Sequence, residues 1–371
     1  MKILFDYEIF SLQKYGGISR YFYELMNQFY QDHDIEIVFP LYFSHNQYIQ
    51  KTPFSNHITF FPNIRFGLRN NVIKYLNRIN HRQCIKTISL QNYDGFHPTF
   101  YSPYFLHLIK QKPFVITIHD MIHEIFPEYF SSNDKVSSNK KLLAEKSTKI
   151  IAVSENTKKD IIKFYGIPDD KISVIHHGCS FNKKSDESKL KLNNLPKKYL
   201  LFVGKRSLYK NFISFIKSII TLIHGFDDLH VVCAGGGKFT EEEIAVFRQN
   251  NIINRLHYYF ITDSILANLY KNAIALVFPS IYEGFGMPIL EAFFFGCPVA
   301  LSNLSSFPEV AGKAGLYFNP FEKASIKDAV LKVIQDDKLR DDLKKEGYKQ
   351  LEKYSWEKTA KATKKLYHGI F

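Results

Sequence analysis

Two glutamates in the second half of the chain stand eight positions apart and could bind one ligand. They are Glu283 and Glu291, and the residues between them read GFGMPIL. The apolar run before them predicts a buried strand, and Pro288 suits the first turn of a helix, so Glu283 falls in a loop and Glu291 one turn into the helix. A helix N-terminus attracts phosphate, whereas carboxylates accept hydrogen bonds from hydroxyls. The pattern indicates a ligand with sugar at both ends of a diphosphate, which is a nucleotide sugar.

A pair of cations follows another predicted strand, Tyr199–Val203, in the segment GKRSLYKN. Gly204 lets the backbone approach a ligand, and Arg206 and Lys210 are four residues apart, so a helical turn would bring both to one anion. We interpret the segment as a diphosphate clamp. The alternative for this segment is a solvated basic face. The alternative for the two glutamates is an ordinary helix start with an acid that complements the helix dipole.

Two strand ends in the first half carry residues of the same kind. Gly16 and Gly17 follow the first predicted strand and would let backbone approach a ligand where a helix begins. His119 and Asp120 end the buried apolar run Phe114–Ile118, a position that often lies in a site of an α/β sheet. The alternatives are a tight strand-to-helix turn and a capping aspartate beside an incidental histidine.

Short runs rich in Val, Ile or Phe alternate with longer helical segments throughout the 371 residues, of which 45% are apolar. This alternation predicts an α/β fold with parallel sheets covered by helices. The predicted strands after the opening run MKILFD are Ile35–Phe39, Phe114–Ile118, Ile150–Val153, Ser173–Ile175, Tyr199–Val203, His230–Cys233, Leu256–Phe260 and Ala273–Phe278. The polar, Lys-rich stretch 180–198 predicts a linker between two domains, with the boundary near residue 190.

The net charge of +13 needs a source, and residues 64–90 supply six cations and no acid. Apolar Val72, Ile73, Leu76 and Ile79 recur there at helical spacing, so a basic amphipathic helix is predicted. Such a helix can bind an anionic membrane surface, or it can be a solvated helix that packs on the core. No nucleic-acid motif accompanies the charge, so nucleic acid is not expected as a partner.

Targeting and redox features predict a cytoplasmic protein, with peripheral attachment to the inner face of the cell membrane as an extension. The N-terminus lacks the long apolar region of a signal peptide, and no run reaches the roughly 20 apolar residues of a membrane span. Four scattered cysteines fit a reduced compartment better than a disulfide framework.

Together these motifs make the chain resemble the retaining glycosyltransferases of family 4, the group 1 enzymes typified by bacterial mannosyltransferases and sucrose synthase. The resemblance spans nearly the whole chain and rests on four elements in the expected order, namely Gly16-Gly17, His119-Asp120, the Gly204, Arg206 and Lys210 set, and Glu283 to Glu291. It implies the GT-B fold, in which two Rossmann-like parallel-sheet domains face a cleft. We place an acceptor-binding domain at residues 1–188, joined by a C-terminal helix at 355–371, and a nucleotide-sugar-binding domain at 189–354.

The resemblance also implies roles for the motif residues. Arg206, chosen over its neighbour Lys205, and Lys210 would hold the diphosphate, and Glu283 would bind hydroxyls of the donor sugar. Backbone near Phe285, Gly286 and Met287 would assist, and Glu291 would accept from the ribose. His119 would lie by the donor sugar and acceptor, while Gly16, Gly17 and Gly204 would shape the phosphate region.

The implied activity is metal-independent transfer of a hexose, with retention, from a nucleotide diphosphate sugar to a glycan or lipid-linked saccharide. Similarity to mannosyltransferases of surface polysaccharide synthesis favours GDP-mannose as the donor. No cofactor or essential metal is expected, because the cations would stabilise the departing diphosphate. A nucleotide-sugar epimerase, a phosphorylase of the same fold, and a non-catalytic nucleotide-binding protein at a membrane surface stay open as alternatives.

Overall fold

The computed structural model describes residues 1–50, 52–59, 66–181, 195–206 and 208–371, with backbone alone for 66–70. The chain forms two compact units. The first comprises Met1–His177 and Trp356–Phe371, and the second comprises Gly178–Ser355. The division thus lies between residues 177 and 178, whereas the linker composition placed it between 188 and 189. Residues 182–194 of that predicted linker lie outside the described residues.

The elements of the first unit alternate between strands and helices. In chain order they are β1 (Lys2–Phe5), α1 (Glu8–Leu12), α2 (Gly17–Asp32), β2 (Glu36–Val38), β3 (Phe43–Ser44), β4 (Ile58–Thr59), α3 (Phe66–Ser89), β5 (Gly95–His97), β6 (Val115–Ile118), α4 (Ile122–Ile125), α5 (Val136–Lys146), β7 (Lys149–Ala152), α6 (Glu155–Tyr165) and β8 (Ile172–Val174).

The second unit repeats this alternation, and a last helix returns to the first unit. The elements are β9 (Lys198–Val203), α7 (Phe212–Gly225), β10 (Leu229–Ala234), α8 (Glu241–Gln249), β11 (Leu256–Tyr259), α9 (Asp263–Asn272), β12 (Ala275–Phe278), α10 (Met287–Phe294), β13 (Val299–Ser302), α11 (Phe307–Ala311), β14 (Gly315–Phe318), α12 (Lys323–Gln335), α13 (Asp337–Leu351) and α14 (Trp356–His368).

The first unit contains a parallel sheet whose strand order reverses beside β1. The described strands pair in the orders β2-β1-β5 and β6-β7-β8, and a parallel bridge between Phe96 and Phe114 links the two sets. All four residues of β6 are buried, as expected for a parallel strand with both faces covered. The apolar runs predicted from the sequence therefore correspond to real strands.

The second unit contains a six-stranded parallel sheet in the order β11-β10-β9-β12-β13-β14. Strands β10 and β11 follow on one side of β9, and β12, β13 and β14 follow on its other side. Strands β9 and β12 are therefore neighbours at the point where the strand order reverses. Ligands of open α/β sheets bind outside the carboxyl ends of strands at such a point. The residues that follow β9 and β12 are those singled out above.

Helix α14 belongs to the core of the first unit. Trp356, Ala360 and Tyr367 are buried together with Phe22 and Phe29 of α2. The hydroxyl of Tyr367 lies 2.5 Å from Nδ1 of His97, at the end of β5. The predicted C-terminal helix is thus confirmed, and burial of its apolar face explains why it folds against residues more than 300 positions away.

Candidate active site

Lys210 and Glu283 meet at the carboxyl ends of β9 and β12. A short 3₁₀ turn, Leu208–Lys210, follows β9, and the backbone N–H of Ile281 donates to the carbonyl of Tyr209 at 2.7 Å. This bond ties the two strand-end loops together. The ammonium of Lys210 donates to Oε1 of Glu283, and the two side chains are 17% and 13% exposed. A cation and a carboxylate are therefore held side by side in a mostly buried position.

Three serines fix the Glu283 loop. Oγ of Ser280 donates to Oε1 of Glu283 at 2.9 Å, and Oγ of Ser305 both accepts from the Glu283 N–H at 3.1 Å and donates to its carbonyl at 2.5 Å. Ser306 donates to the carbonyl of Phe285 at 2.8 Å. Ser305 and Ser306 lie between β13 and α11, so a third strand end supports the loop.

Helix α10 begins directly after this loop. Gly286 precedes it with φ +104°, a left-handed conformation that favours glycine, and Pro288 is the second helical residue. Among the described residues no side chain caps the first turn. Glu291 is buried one turn in, and its Oε2 accepts from the hydroxyl of Tyr270 at 2.9 Å. The predicted loop-then-helix arrangement of the two glutamates is confirmed.

Arg206 points to a different carboxylate from Lys210. Its Nε donates to Oε1 of Glu243 at 2.9 Å, and its terminal nitrogens donate to the carbonyls of Gly235 and Lys238 at 3.1 and 2.7 Å. The guanidinium is buried and lies 4.8 Å from the ring centre of Phe239. The two cations therefore do not converge on one partner, and Lys210 lies in the 3₁₀ turn Leu208–Lys210 rather than in an α-helix.

Arg206 clamps a glycine turn against the end of β9. Gly235, Gly236 and Gly237 all have positive φ, and a Cβ on Gly236 would lie 2.7 Å from the carbonyl of Gly204. Only glycine permits this approach. A cavity of about 560 Å³ opens beside the turn, and its wall includes Lys205, whose side chain is exposed.

In the first unit, the start of α2 lies beside His119. Gly16 and Gly17 introduce α2, and a Cβ on Gly16 would collide with the side chain of Gln13 at 2.1 Å. One turn into α2, the ring of Tyr21 lies edge-on to that of His119, with ring centres 5.0 Å apart. The structure thus places the predicted Gly-Gly turn and the predicted histidine at the same edge of this sheet.

His119 is buried and neutral. Burial lowers the pKa of His119 to about 3, and the nearby His97 and Lys140 add to the effect. The backbone N–H of His119 donates to the hydroxyl of Tyr101 at 3.1 Å. The ring nitrogen Nε2 has no hydrogen-bond partner among the described residues. A buried ring nitrogen of this kind can bind a hydroxyl of a ligand.

Asp120 has a structural role next to this histidine. Its Oδ1 accepts from the N–H of Ile122 at 3.1 Å, so it serves the first turn of α4. The buried ammonium of Lys140 donates to the Asp120 carbonyl and to Oε2 of Glu124, both at 2.9 Å. These bonds fix the backbone that follows His119.

Comparison with known proteins identifies the family. Residues 15–183 match the family described as Glycosyltransferase Family 4, and residues 183–350 match Glycosyl transferases group 1. The O-antigen chain mannosyltransferase B of Escherichia coli is 30% identical over 282 residues, which cover 73% of this chain and 72% of that protein. The chain belongs to the family 4, group 1 glycosyltransferases. The O-antigen chain mannosyltransferase RfbU of Salmonella typhimurium is 31% identical over 222 residues, covering 59% of the glycosyltransferase and 60% of the relative.

Solved structures agree on the fold of this glycosyltransferase. A sucrose-phosphate synthase from Thermosynechococcus elongatus superposes with a TM-score of 0.73 at 16% identity and covers 100% of this chain and 98% of its own. The Anabaena protein HepE, solved in complex with UDP and glucose, gives 0.73 at 16% identity, with 99% of each chain covered. The predicted GT-B fold class is confirmed.

The geometry divides the predicted site residues into two sets, one in each unit of the glycosyltransferase. Gly16, Gly17 and His119 lie together in the first unit. In the second, Lys210, Glu283 and the start of α10 lie together, while Arg206 and Glu291 each bind another side chain. Sequence reasoning missed the serines at 280, 305 and 306. The signal was present, because 302-SNLSS-306 follows an apolar run, but that run was not predicted as a strand.

The basic helix α3 presents its cations on one face. Lys74, Arg78, Arg82 and Lys86 are exposed at intervals of four residues, and none of them takes part in an ion pair among the described residues. Asn80 on the opposite face is buried and accepts from the N–H groups of Tyr42 and Phe43, both at 3.0 Å. Arg65 and the side chain of Arg69 lie outside the description. Within the described ranges, no helix is long and apolar enough to cross a membrane.

Proposed function

We propose that this glycosyltransferase moves a hexose, with retention of anomeric configuration, from a nucleotide diphosphate sugar to a glycan or lipid-linked saccharide in surface polysaccharide synthesis. The observation that carries the proposal is the Lys210–Glu283 pair after β9 and β12, beside the start of α10, whose first turn is capped by no side chain of the described residues. Mannose from GDP-mannose is the proposed donor, because O-antigen mannosyltransferases are among the relatives.

Lys210 is the cation proposed to bind the diphosphate. Without donor, Glu283 balances its charge. When a diphosphate binds at the start of α10, the Lys210 ammonium can turn to it, so that the ammonium and the N–H groups of the helix start bind the same diphosphate. Negative charge grows on the departing diphosphate during transfer, so a fixed cation stabilises the transition state more than the bound donor. This charge stabilisation is why we propose a reaction that needs no metal ion.

Glu283 is then available to the donor sugar. Its carboxylate accepts hydrogen bonds only, and the serine contacts keep its backbone in place whether or not Lys210 is bound to it. Arg206 has a positioning role in this proposal, because Glu243 and two carbonyls already occupy most of its N–H donors. Glu291 is proposed to accept a hydrogen bond from the ribose of the donor.

The first unit is proposed to hold the acceptor. His119 is suited to accept a hydrogen bond from a sugar hydroxyl, because its ring stays neutral at physiological pH and Nε2 is buried without a protein partner among the described residues. We propose that no side chain of the enzyme acts as the nucleophile. The acceptor hydroxyl would instead attack the anomeric carbon from the same face as the departing diphosphate.

A transfer assay tests the function. Purified protein is incubated with GDP-mannose labelled in the sugar, or with UDP-glucose, together with lipid-linked or free oligosaccharide acceptors. Label in an acceptor supports the proposal. Label in a sugar phosphate indicates a phosphorylase, a changed sugar on the nucleotide indicates an epimerase, and an unchanged donor in all cases contradicts the proposal. Activity abolished by EDTA and restored by magnesium would refute metal independence alone.

We further propose that α3 binds an anionic membrane surface through Lys74, Arg78, Arg82 and Lys86. Each cation near such a surface contributes about 1 kcal/mol, so removal of three should reduce binding about a hundredfold. Flotation with vesicles that contain anionic lipid compares the triple variant K74Q/R78Q/R82Q with K344Q/K345Q/K349Q, which removes the same charge from α13. Equal binding of the two variants would contradict the proposal.

A further inference from the structure

An exposed tyrosine stands at the entrance to α2, next to the Gly16-Gly17 turn. The side chain of Tyr15 is 43% exposed. Its ring meets that of Tyr48 edge-on, with centres 6.1 Å apart and planes at 85°. This edge-to-face contact fixes the ring of Tyr15.

Tyr48 is itself held from two sides. The guanidinium of Arg20 lies 5.1 Å from its ring centre, and the ring of Tyr23 stacks on it at 6.2 Å with planes 21° apart. Arg20 is buried, so the stack Arg20–Tyr48–Tyr23 forms a firm base for Tyr15.

Backbone bonds hold the two loops that carry these rings. The N–H of Gln47 donates to the carbonyl of Lys14 at 3.0 Å, and the side-chain amide of Asn46 donates to the carbonyl of Gln13 at 2.7 Å. Tyr15 and Tyr48 are therefore presented by a single braced surface. A braced aromatic ring loses little conformational entropy when a ligand packs on it.

The position and surroundings of Tyr15 indicate what packs there. The turn it begins leads within one helical turn to Tyr21, whose ring touches His119. No acid occurs among residues 9–23 or 37–93. The ammonium of Lys14 lies 5.8 Å from the ring centre of Tyr15, and the amide residues Asn46 and Gln47 bind the backbone just before it. A sugar ring offers an apolar C–H face to an aromatic ring and hydroxyls to amides at its rim. One exposed ring framed by polar groups suits a sugar better than it suits an apolar protein partner.

We propose that Tyr15 is a stacking platform for a sugar ring of the acceptor saccharide. The inference rests on the proposed function and deepens it, because it names a side chain that binds the acceptor. Tyr48 and Arg20 are positioning residues that hold the platform.

The test is binding of fluorescently labelled protein to an array of bacterial surface oligosaccharides and their component monosaccharides. Tyr15→Ala should lose about tenfold in affinity for every oligosaccharide that the unchanged protein binds, the effect of removing one packed interface tyrosine. Tyr15→Phe should bind normally, because the ring remains. Tyr30→Ala is the matched control, since Tyr30 is 40% exposed at the far end of α2.

Nucleotide-sugar binding is measured in parallel by thermal shift and should be the same in all variants. Full oligosaccharide binding by Tyr15→Ala would refute the proposal that Tyr15 stacks on an acceptor sugar. The absence of any oligosaccharide signal for the unchanged protein would refute it too. Either result with a normal nucleotide-sugar shift and normal transfer leaves the proposed function standing. Loss of both the shift and transfer in the unchanged protein would instead remove the proposed function.

Discussion

Replacement of Lys210 by methionine separates the structural and catalytic roles of the Lys210–Glu283 pair. Methionine keeps much of the side-chain volume and removes the charge. In the protein without donor, Glu283 would keep the hydrogen bond from Ser280 but lose its cation. Both side chains are less than one-fifth exposed, so we expect a loss of about 2 kcal/mol in the free energy of unfolding, below the cost of breaking a fully buried pair.

The catalytic effect follows from the same contact. An ammonium about 3 Å from a phosphate oxygen interacts by roughly 5 kcal/mol per unit charge at an effective dielectric constant of about 20. If about half a unit of charge develops on the diphosphate in the transition state, the loss is about 2–3 kcal/mol. The turnover number at saturating donor should therefore fall about 30- to 150-fold.

The double variant K210M/E283Q distinguishes the two effects. The amide that replaces the Glu283 carboxylate carries no charge, so no unpaired charge is left at this position. The free energy of unfolding from urea titration should therefore recover most of what K210M loses. Turnover should stay low, because neither the cation nor the carboxylate is present. Turnover of K210M within about threefold of the unchanged enzyme would contradict a catalytic role for Lys210, since no transition-state charge would then depend on its ammonium.

Three further perturbations follow from other contacts. Arg206→Leu leaves Glu243 buried without its cation, so urea unfolding should show a loss of about 3 kcal/mol, and unchanged stability would contradict a structural pair. His97 has a pKa lowered to about 3 by burial, so its stabilising contribution is present above an unfolded pKa of 6.5 and is lost as pH falls toward 3. As the pH falls from 6.5 to 4.5, the free energy of unfolding of His97→Gln should therefore decrease by about 2 kcal/mol less than that of the unchanged protein. An equal decrease in both proteins would contradict this role of His97. Gly286→Ala forces a side chain into φ +104°, with its Cβ 3.0 Å from Ile289, and should weaken the thermal shift caused by nucleotide sugar; an unchanged shift would mean that this turn does not shape the site.

Local chemistry made part of this site predictable. The apolar runs before Gly204 and Glu283 are buried strands, and Gly286 and Pro288 mark the start of α10, so each segment could be placed from sequence. That Lys210 meets Glu283 was not predictable, because it depends on β9 and β12 being neighbours in the sheet. Strand order is set by tertiary packing between segments far apart in the chain, which periodicity does not report.

The partner of Arg206 shows the same limit at the level of one side chain. Its spacing from Lys210 suggested a shared anion, but Glu243 on α8 lies 37 residues away and takes the guanidinium. Strands β13 and β14 were also missed. The serines between β13 and α11 that support Glu283 were lost with them.

The most direct test of the central claim is carbon NMR of a reaction with GDP-mannose labelled at the anomeric carbon and an oligosaccharide acceptor. We predict that the donor signal is replaced by that of an α-glycoside in the unchanged enzyme, at a rate about a hundredfold lower in K210M. A β-glycoside would contradict retention. A mannose phosphate product, or equal rates for the two proteins, would contradict transfer driven by the Lys210–Glu283 site.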